Sequence, residues 1–458
     1  MKLKALSTAM IVAALPMTGT FAAALDRSGQ SMAAFFQPGN YAEVGVSILD
    51  PDVSGQDTKG NLASDMATDY QFAQAAFKIQ ATDNISFGLI YDQPFGASAK
   101  YSGQNDFTTK SSDPVLGALP VFIGDKPAGA PIGVGLNANV SGSTSVDVDT
   151  HSLSAIVGFQ PNESLNLYAG AVYQTVEGEV KLRGSTYSLF NGYDADIGRD
   201  GEFGWLVGAA YQIPEIALKA SLTYRSEISH KIDIKENIPV AAGLANPSKT
   251  PELVGLITNL TALGAISPQQ AAGLSGALGA LGKGFKSGTT DVTTPQSVNL
   301  DFQSGIMANT VAFANIRWVD WSSFAIKPNN FGQLADAVGA AGLVAGKPNG
   351  FNLVDYSKDQ WSVTTGVGRK FNDQWAANVS VGWDSGAGNP VTTLGPTEGY
   401  WNLGVGVQFS PAENYFVAGG VKYFWLGDAE AVTGAHSAAG KFEDNTAIAY
   451  GLKMGYRF

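Results

Sequence analysis

Tight turns and long connections alternate along this chain without a skip. β-like segments are joined by six short turns, at residues 81–84, 161–164, 213–215, 305–309, 371–374 and 410–414. Around them lie seven long connections, at roughly residues 51–69, 93–147, 178–202, 226–295, 322–356, 384–399 and 427–445. Six turns and seven long connections require fourteen strands. A soluble sandwich has no reason to gather its long loops at one end. A barrel in an outer membrane does, with turns toward the periplasm and loops outward. The expected fold is all-β, a 14-stranded antiparallel transmembrane β-barrel.

The strand candidates carry the period of two that a wall between lipid and lumen needs. In residues 165–176, Leu165, Leu167, Ala169, Ala171 and Tyr173 alternate with Asn166, Tyr168, Gly170, Val172 and Gln174. Val379, Val381 and Trp383 alternate with Asn378, Ser380 and Gly382, and Leu403, Val405, Val407 and Phe409 with Asn402, Gly404, Gly406 and Gln408. The second face is small and polar, which points to a roomy lumen instead of a packed core. Trp375, Trp383, Trp401, Tyr415, Tyr423 and Tyr450 fall near strand ends, where amphipathic rings suit membrane interfaces. The chain closes on an alternating segment that ends in Phe458, the type of strand that barrel-assembly machinery reads.

Composition agrees with export. Lys2 and Lys4 precede the apolar stretch 9–15 and the small residues Ala22-Ala23-Ala24, so residues 1–24 read as a signal peptide cleaved before Leu25. No apolar run long enough for a transmembrane helix follows, so a membrane-embedded form must be a closed barrel. Cysteine is absent, which leaves strand pairing and packing to hold the fold. A formal charge of −12 argues against nucleic-acid partners. Acidic residues of the long loops, Asp50, Asp52, Asp57, Asp106, Asp194 and Glu430 among them, could share divalent cations with lipopolysaccharide; solvated loops are the plainer reading. The run Asp50-Pro51-Asp52 with Asp57 lacks the spacing of a calcium loop. No cofactor or metal is expected.

Three stretches of the loops read as helices. Thr250-Pro251-Glu252 opens residues 253–263; Ser267-Pro268-Gln269-Gln270 forms a capping box for residues 271–281; and residues 331–344 space Leu334, Val338 and Leu343 helically. Their apolar faces either pack on each other or line a greasy entrance.

Several segments together resemble the FadL family of long-chain fatty acid outer-membrane transporters. They are Asp50-Pro51-Asp52-Val53-Ser54-Gly55, Tyr91-Asp92-Gln93-Pro94-Phe95-Gly96, Leu222-Thr223-Tyr224-Arg225-Ser226-Glu227, Arg317-Trp318-Val319-Asp320-Trp321-Ser322, Trp383-Asp384-Ser385 and the last strand. The resemblance implies a barrel (41–458) whose lumen holds an N-terminal hatch (25–40). It also implies sideways release at an inward kink of the third strand, which falls here on Pro94, Phe95 and Gly96. Proline cannot complete a ladder bond and glycine permits unusual backbone geometry, so the kink has a physical basis, although the residues alone read as a strand ending at a turn. The family's hatch is longer and carries Asn-Pro-Ala, where this chain has Gln37-Pro38-Gly39-Asn40. The implied ligand is a long-chain fatty acid or a similar hydrophobic compound. Leu25, Met32, Phe35 and Phe36 could touch its tail, with packing against the barrel wall the alternative for the last three; Arg183 resembles the family's basic pocket residue, and Lys358 is the candidate for a second. Arg225, Glu227 and Arg317 are expected as lumen charges, serving an internal ion pair or anchoring the hatch. Full burial of a sixteen-carbon tail would contribute roughly 10 kcal/mol or more, so passive transport needs partial burial and an apolar exit.

Two rivals remain at this point: a general porin or a transporter of hydrocarbons, and an outer-membrane lipid enzyme. For the enzyme, only His151, His230 and His436 are available as bases. His151 and its neighbour Ser152 point to opposite faces of a strand, and the other two have no evident partner.

Overall fold

The computed structural model describes residues 25–110, 140–239 and 254–458, apart from 256, 259, 260, 263, 265, 282, 343 and 345. The expected signal peptide lies outside the described residues, as do positions 250–253, 256, 259, 260 and 263 of the first expected loop helix.

Fourteen strands make the wall: β1 (Tyr41–Asp52), β2 (Tyr70–Gln80), β3 (Ile85–Asp92, resuming at Gly96–Lys100), β4 (Ser145–Asn162), β5 (Leu165–Lys181), β6 (Asp194–Ile213), β7 (Leu218–Arg225), β8 (Ser297–Met307), β9 (Thr310–Val319), β10 (Gln360–Lys370), β11 (Trp375–Asp384), β12 (Tyr400–Ala412), β13 (Tyr415–Leu426) and β14 (Thr446–Arg457). Each pairs antiparallel with its sequence neighbours. The sheet closes where β1 meets β14, from Tyr41↔Arg457 to Asp52↔Thr446. Closure leaves no free edge in lipid, which is the condition for crossing a membrane with strands.

The period of two separates the faces as the sequence suggests. On β5, Leu167 and Tyr173 are exposed outward while Asn166, Tyr168, Val172 and Gln174 are buried in the lumen. On β11, Trp375 and Trp383 mark the turn end and the loop end of one strand. Eight steps at ~3.3 Å, on a strand tilted by about 40°, put these rings about 20 Å apart along the barrel axis. Trp383, Trp401 and Trp425 stand in register on β11, β12 and β13. They form a ladder at the outer interface. Trp375, Tyr415, Tyr456 and Phe458 are exposed at the opposite rim.

The connection expected at 178–202 is shorter. β5 and β6 run on to Lys181 and Asp194, because their cross-strand pairing continues past the outer rim and gains an Arg199–Glu177 ion pair of 2.6 Å. Outside the membrane, Gly55–Asp57, Leu62–Ala63, Val391–Thr392, Ala429–Thr433 and His436–Phe442 build a five-stranded cap. Helix α1 (Pro268–Leu281) starts with reciprocal bonds between Ser267 and Gln270, a capping box. Helix α2 (Asn329–Ala340) has its first amides capped from elsewhere: the Glu236 carboxylate accepts from the N–H groups of Asn330 and Phe331, at 2.7 and 2.8 Å. A carboxylate at this positive end is favourable. Leu274, Leu278 and Leu281 of α1 and Leu334 and Val338 of α2 are buried, so these apolar faces are covered.

Candidate functional site

β3 is broken at the position where proline withholds its donor. Gln93, Pro94 and Phe95 stand opposite only Thr150 and His151 of β4, between the pairs Asp92↔Ser152 and Gly96↔Asp149. This is a bulge, and the Thr150 hydroxyl repairs it by bonding the N–H and C=O of Phe95, at 2.9 and 2.8 Å. On the other side, the β2–β3 backbone ladder stops at Ala75↔Tyr91 and resumes at the bridge Ala67↔Ala99. Between those points the backbone pairs are missing, and the Gln93 side chain accepts from the Ala73 N–H at 2.8 Å.

The segment before β1 takes that edge. Arg27 N–H donates to the Pro94 carbonyl at 2.6 Å, Gly96 N–H donates to the Leu25 carbonyl at 2.8 Å, and Asp26 bridges Phe95. Residues 25–40 then cross the lumen. Buried charges hold them. The Arg317 Nε and Nη2 donate to both oxygens of Asp26, at 2.7 and 3.2 Å, and the remaining Nη1 donates to Asn299 at 2.7 Å. Arg225 donates to Ser154 at 3.2 Å and reaches the Gln30 carbonyl and Met32 sulfur. Ser28 donates to Asp92 at 2.7 Å, and Lys219 and Lys78 donate to the carbonyls of Phe36 and Gln37. Lys78 and Lys219 have no part in the sequence expectations, and Asp92 enters them only within a motif, without a role; each occupies an inward position of its strand, and that parity was the available signal.

Cavities lie on both sides of this hatch. Above it is an apolar one of about 70 Å³, floored by Leu25 and Asp26 and walled by Tyr70, Gly96–Ala99, Val146, Val148, Ile326, Leu353 and Leu394. A smaller groove of about 20 Å³ lies further out between Leu182, Phe190, Phe331 and Phe351, and it shares Leu353 and Leu394 with the first. Beneath the hatch, a cavity of about 160 Å³ is lined by Phe36, Lys219, Asp301, Glu43 and Lys453. At the turn end the lumen opens into about 750 Å³ among Lys78, Gln80, Asn84, Gln160 and Asn166.

Several expected site residues take other roles. Arg183 is buried against Asp194 at 2.5 Å and also donates to the carbonyls of Leu182 and Tyr193, so its charge is already matched and it lines none of these cavities. Glu227 is not a lumen charge: it lies past the end of β7 and is exposed. Arg225 and Arg317 do face the lumen, and both bind the hatch. Phe35 packs on the wall. A Cβ at Gly88 would come within 2.5 Å of its ring and one at Gly158 within 2.8 Å, and Tyr168 lies 5.8 Å away. Leu25 lines the upper cavity and Phe36 the lower ones. Lys358 is exposed. His230 has partners after all, Asp200 at 3.0 Å and Gln174 at 3.4 Å. His151 bonds the Tyr91 hydroxyl at 2.7 Å while Ser152 is buried on the inward face, so the two do not meet. The side chain of His436 is outside the described residues.

The profile of the outer-membrane transport protein family (OMPP1/FadL/TodX) matches residues 136–458. The chain belongs to this family. Among solved structures, a Pseudomonas aeruginosa FadL homologue superposes with a TM-score of 0.59 at 15% identity, covering 93% of this chain and 92% of that one. The P. putida toluene transporter TodX gives a TM-score of 0.55 at 11% identity, covering 96% and 93%. At such identities the likeness concerns the fold. No curated protein sequence matches this chain. As a FadL/TodX family member, the protein is an outer-membrane transport barrel for hydrophobic compounds.

Proposed function

We propose that the protein is a passive channel for small uncharged hydrophobic molecules, which leave sideways at the break in β3 and not through the periplasmic mouth. One observation carries the substrate class. Among the described residues, no cation lines the apolar cavity above the hatch, and its one carboxylate, Asp26, is bound to Arg317. The nearest guanidinium, Arg27 beside Tyr70 and Gly96, is already paired with Asp149, so an ionised carboxylate placed there would lose its water without gaining a free counter-ion, at a cost of several kcal/mol. A neutral ring or chain pays nothing of the kind. The cavity is about half the volume of one that accepts benzene, roughly 150 Å³, so a guest of that size must displace a wall such as Leu25.

The sideways route is supported by the missing β2–β3 pairs and by Gly96–Ala99 lining the cavity directly. A molecule there is beside lipid on one side and above a polar lumen on the other. A second reading, uptake of long-chain fatty acids, draws on Lys219 and Lys453 in the cavity below the hatch, where a carboxylate would find cations. Calorimetry with purified protein separates the two, using an alkylbenzene and oleate at pH 8. The proposal expects the hydrocarbon to bind at least ~tenfold more tightly than the acid. Preference for oleate would transfer the function to the second reading.

A further inference from the structure

On β4, Val146, Val148, Thr150, Ser152 and Ser154 face inward, while Leu153 and Val157 are exposed to lipid. Asp149 belongs to the outward row. Arg27 starts from the hatch, inside the lumen, and still its Nη1 donates to Asp149 at 2.6 Å. Its side chain therefore passes through the wall at the break in β3. It is 2% exposed, its guanidinium lies 4.1 Å over the ring of Tyr70 on β2, and it fills the space that a Cβ on Gly96 would need. The group thus spans from β2 to β4 where the β2–β3 backbone ladder is interrupted and only the Gln93 side chain otherwise reaches β2.

We propose that Arg27 is the bolt of the side opening: its guanidinium holds the break in β3 shut against apolar solutes until it is displaced. This rests on the sideways route proposed above. The contrast with Arg317 shows why Arg27 is the movable one. Arg317 engages all three of its nitrogens with Asp26, Asn299 and Gln30. Arg27 leaves its buried Nε without a partner, and its counter-ion Asp149 is 44% exposed. One counter-ion that water already reaches and the side chain of Tyr70 hold the buried guanidinium, fewer partners than Arg317 has, so it is the easier of the two to displace. Gly96 is glycine because the bolt needs its seat.

The test uses the full chain in liposomes, with influx of the neutral fluorophore N-phenyl-1-naphthylamine as readout. Arg27→Ala, Asp149→Asn and Gly96→Ala should each raise the initial rate roughly fivefold, the scale of losing those two contacts. Arg27→Ala combined with Gly96→Ala should add nothing further. Because the chain has no cysteine, Ala97→Cys can report on the opening: a membrane-soluble maleimide should label it faster when Arg27→Ala is present. Heat-modifiable gel mobility verifies barrel closure, and Asp149→Asn decides the matter if Arg27→Ala fails to assemble. Unchanged influx and labelling in these variants, with Gly96→Trp still blocking influx, would overturn the bolt and keep the opening. No effect of Gly96→Trp as well would remove the sideways route itself.

Discussion

The two halves of the lumen differ in both chemistry and size. Above the hatch the cavity is apolar and narrow, about 70 Å³. Below it the space widens to about 750 Å³ among amides and lysines. A hydrophobic guest that has reached the upper half gains nothing by descending, since each exposed methylene forfeits about 0.8 kcal/mol. On the proposed sideways route, the bilayer beside the break in β3 returns that energy. The hatch is thus a partition between an apolar and a wet compartment, and its buried ion pairs maintain the difference.

Removing the partition's main anchor should have the largest effect. Arg317→Met leaves Asp26 buried without its counter-ion, at a cost of roughly 3–5 kcal/mol. Hydrogen exchange should accelerate across residues 25–40, and small-ion conductance should rise; an unchanged exchange pattern would mean that the anchor lies elsewhere. Next comes the seat of Phe35. Gly88→Ala overpacks the ring contact and should destabilise the barrel by about 1–3 kcal/mol, read as a lower midpoint of heat-modifiable gel mobility. Val148→Lys sharpens the comparison by giving the apolar half a cation. Oleate affinity should rise roughly tenfold, the worth of one hydrogen bond to a charged group, while an alkylbenzene weakens.

The smallest effect belongs to the outer cap. Burial pushes the Asp57 carboxyl up, but bonds from the Asn61 side chain and from the amides of Asn61, Asp106 and Lys59 outweigh this and hold it below its ordinary value of 3.8. A depressed carboxyl stabilises above that ordinary value, and the contribution disappears as pH falls through the lowered one. Asp57→Asn should therefore speed proteolysis of the cap at pH 7 and make no difference well below pH 3.

The wall was readable because its signals are local. Alternation on β5, β11 and β12, and turns such as 81–84 and 371–374, each depend on a few adjacent residues. The capping box of α1 was readable for the same reason, whereas the break at Pro94 was placed by the family resemblance, since the residues alone fit a strand ending at a turn. The hatch contacts were not. Asp26 meets Arg317, 291 positions away, and Arg225 meets Gln30 across 195. Arg183 looked like a free cation because Asp194 reaches it only through the extension of β5 and β6. Glu227 looked inward because strand parity was carried two residues beyond the end of β7, where pairing with β8 has ceased.

By itself, the sequence determined the strand count and the closure into a membrane-spanning barrel. These follow from period and turn chemistry, which act within a few residues. Only the tertiary structure decided which lumen charges are already paired, which aromatic ring packs on the wall and where a carboxylate would find no free counter-ion. Those facts depend on groups that meet across the barrel, and no local pattern encodes such a meeting.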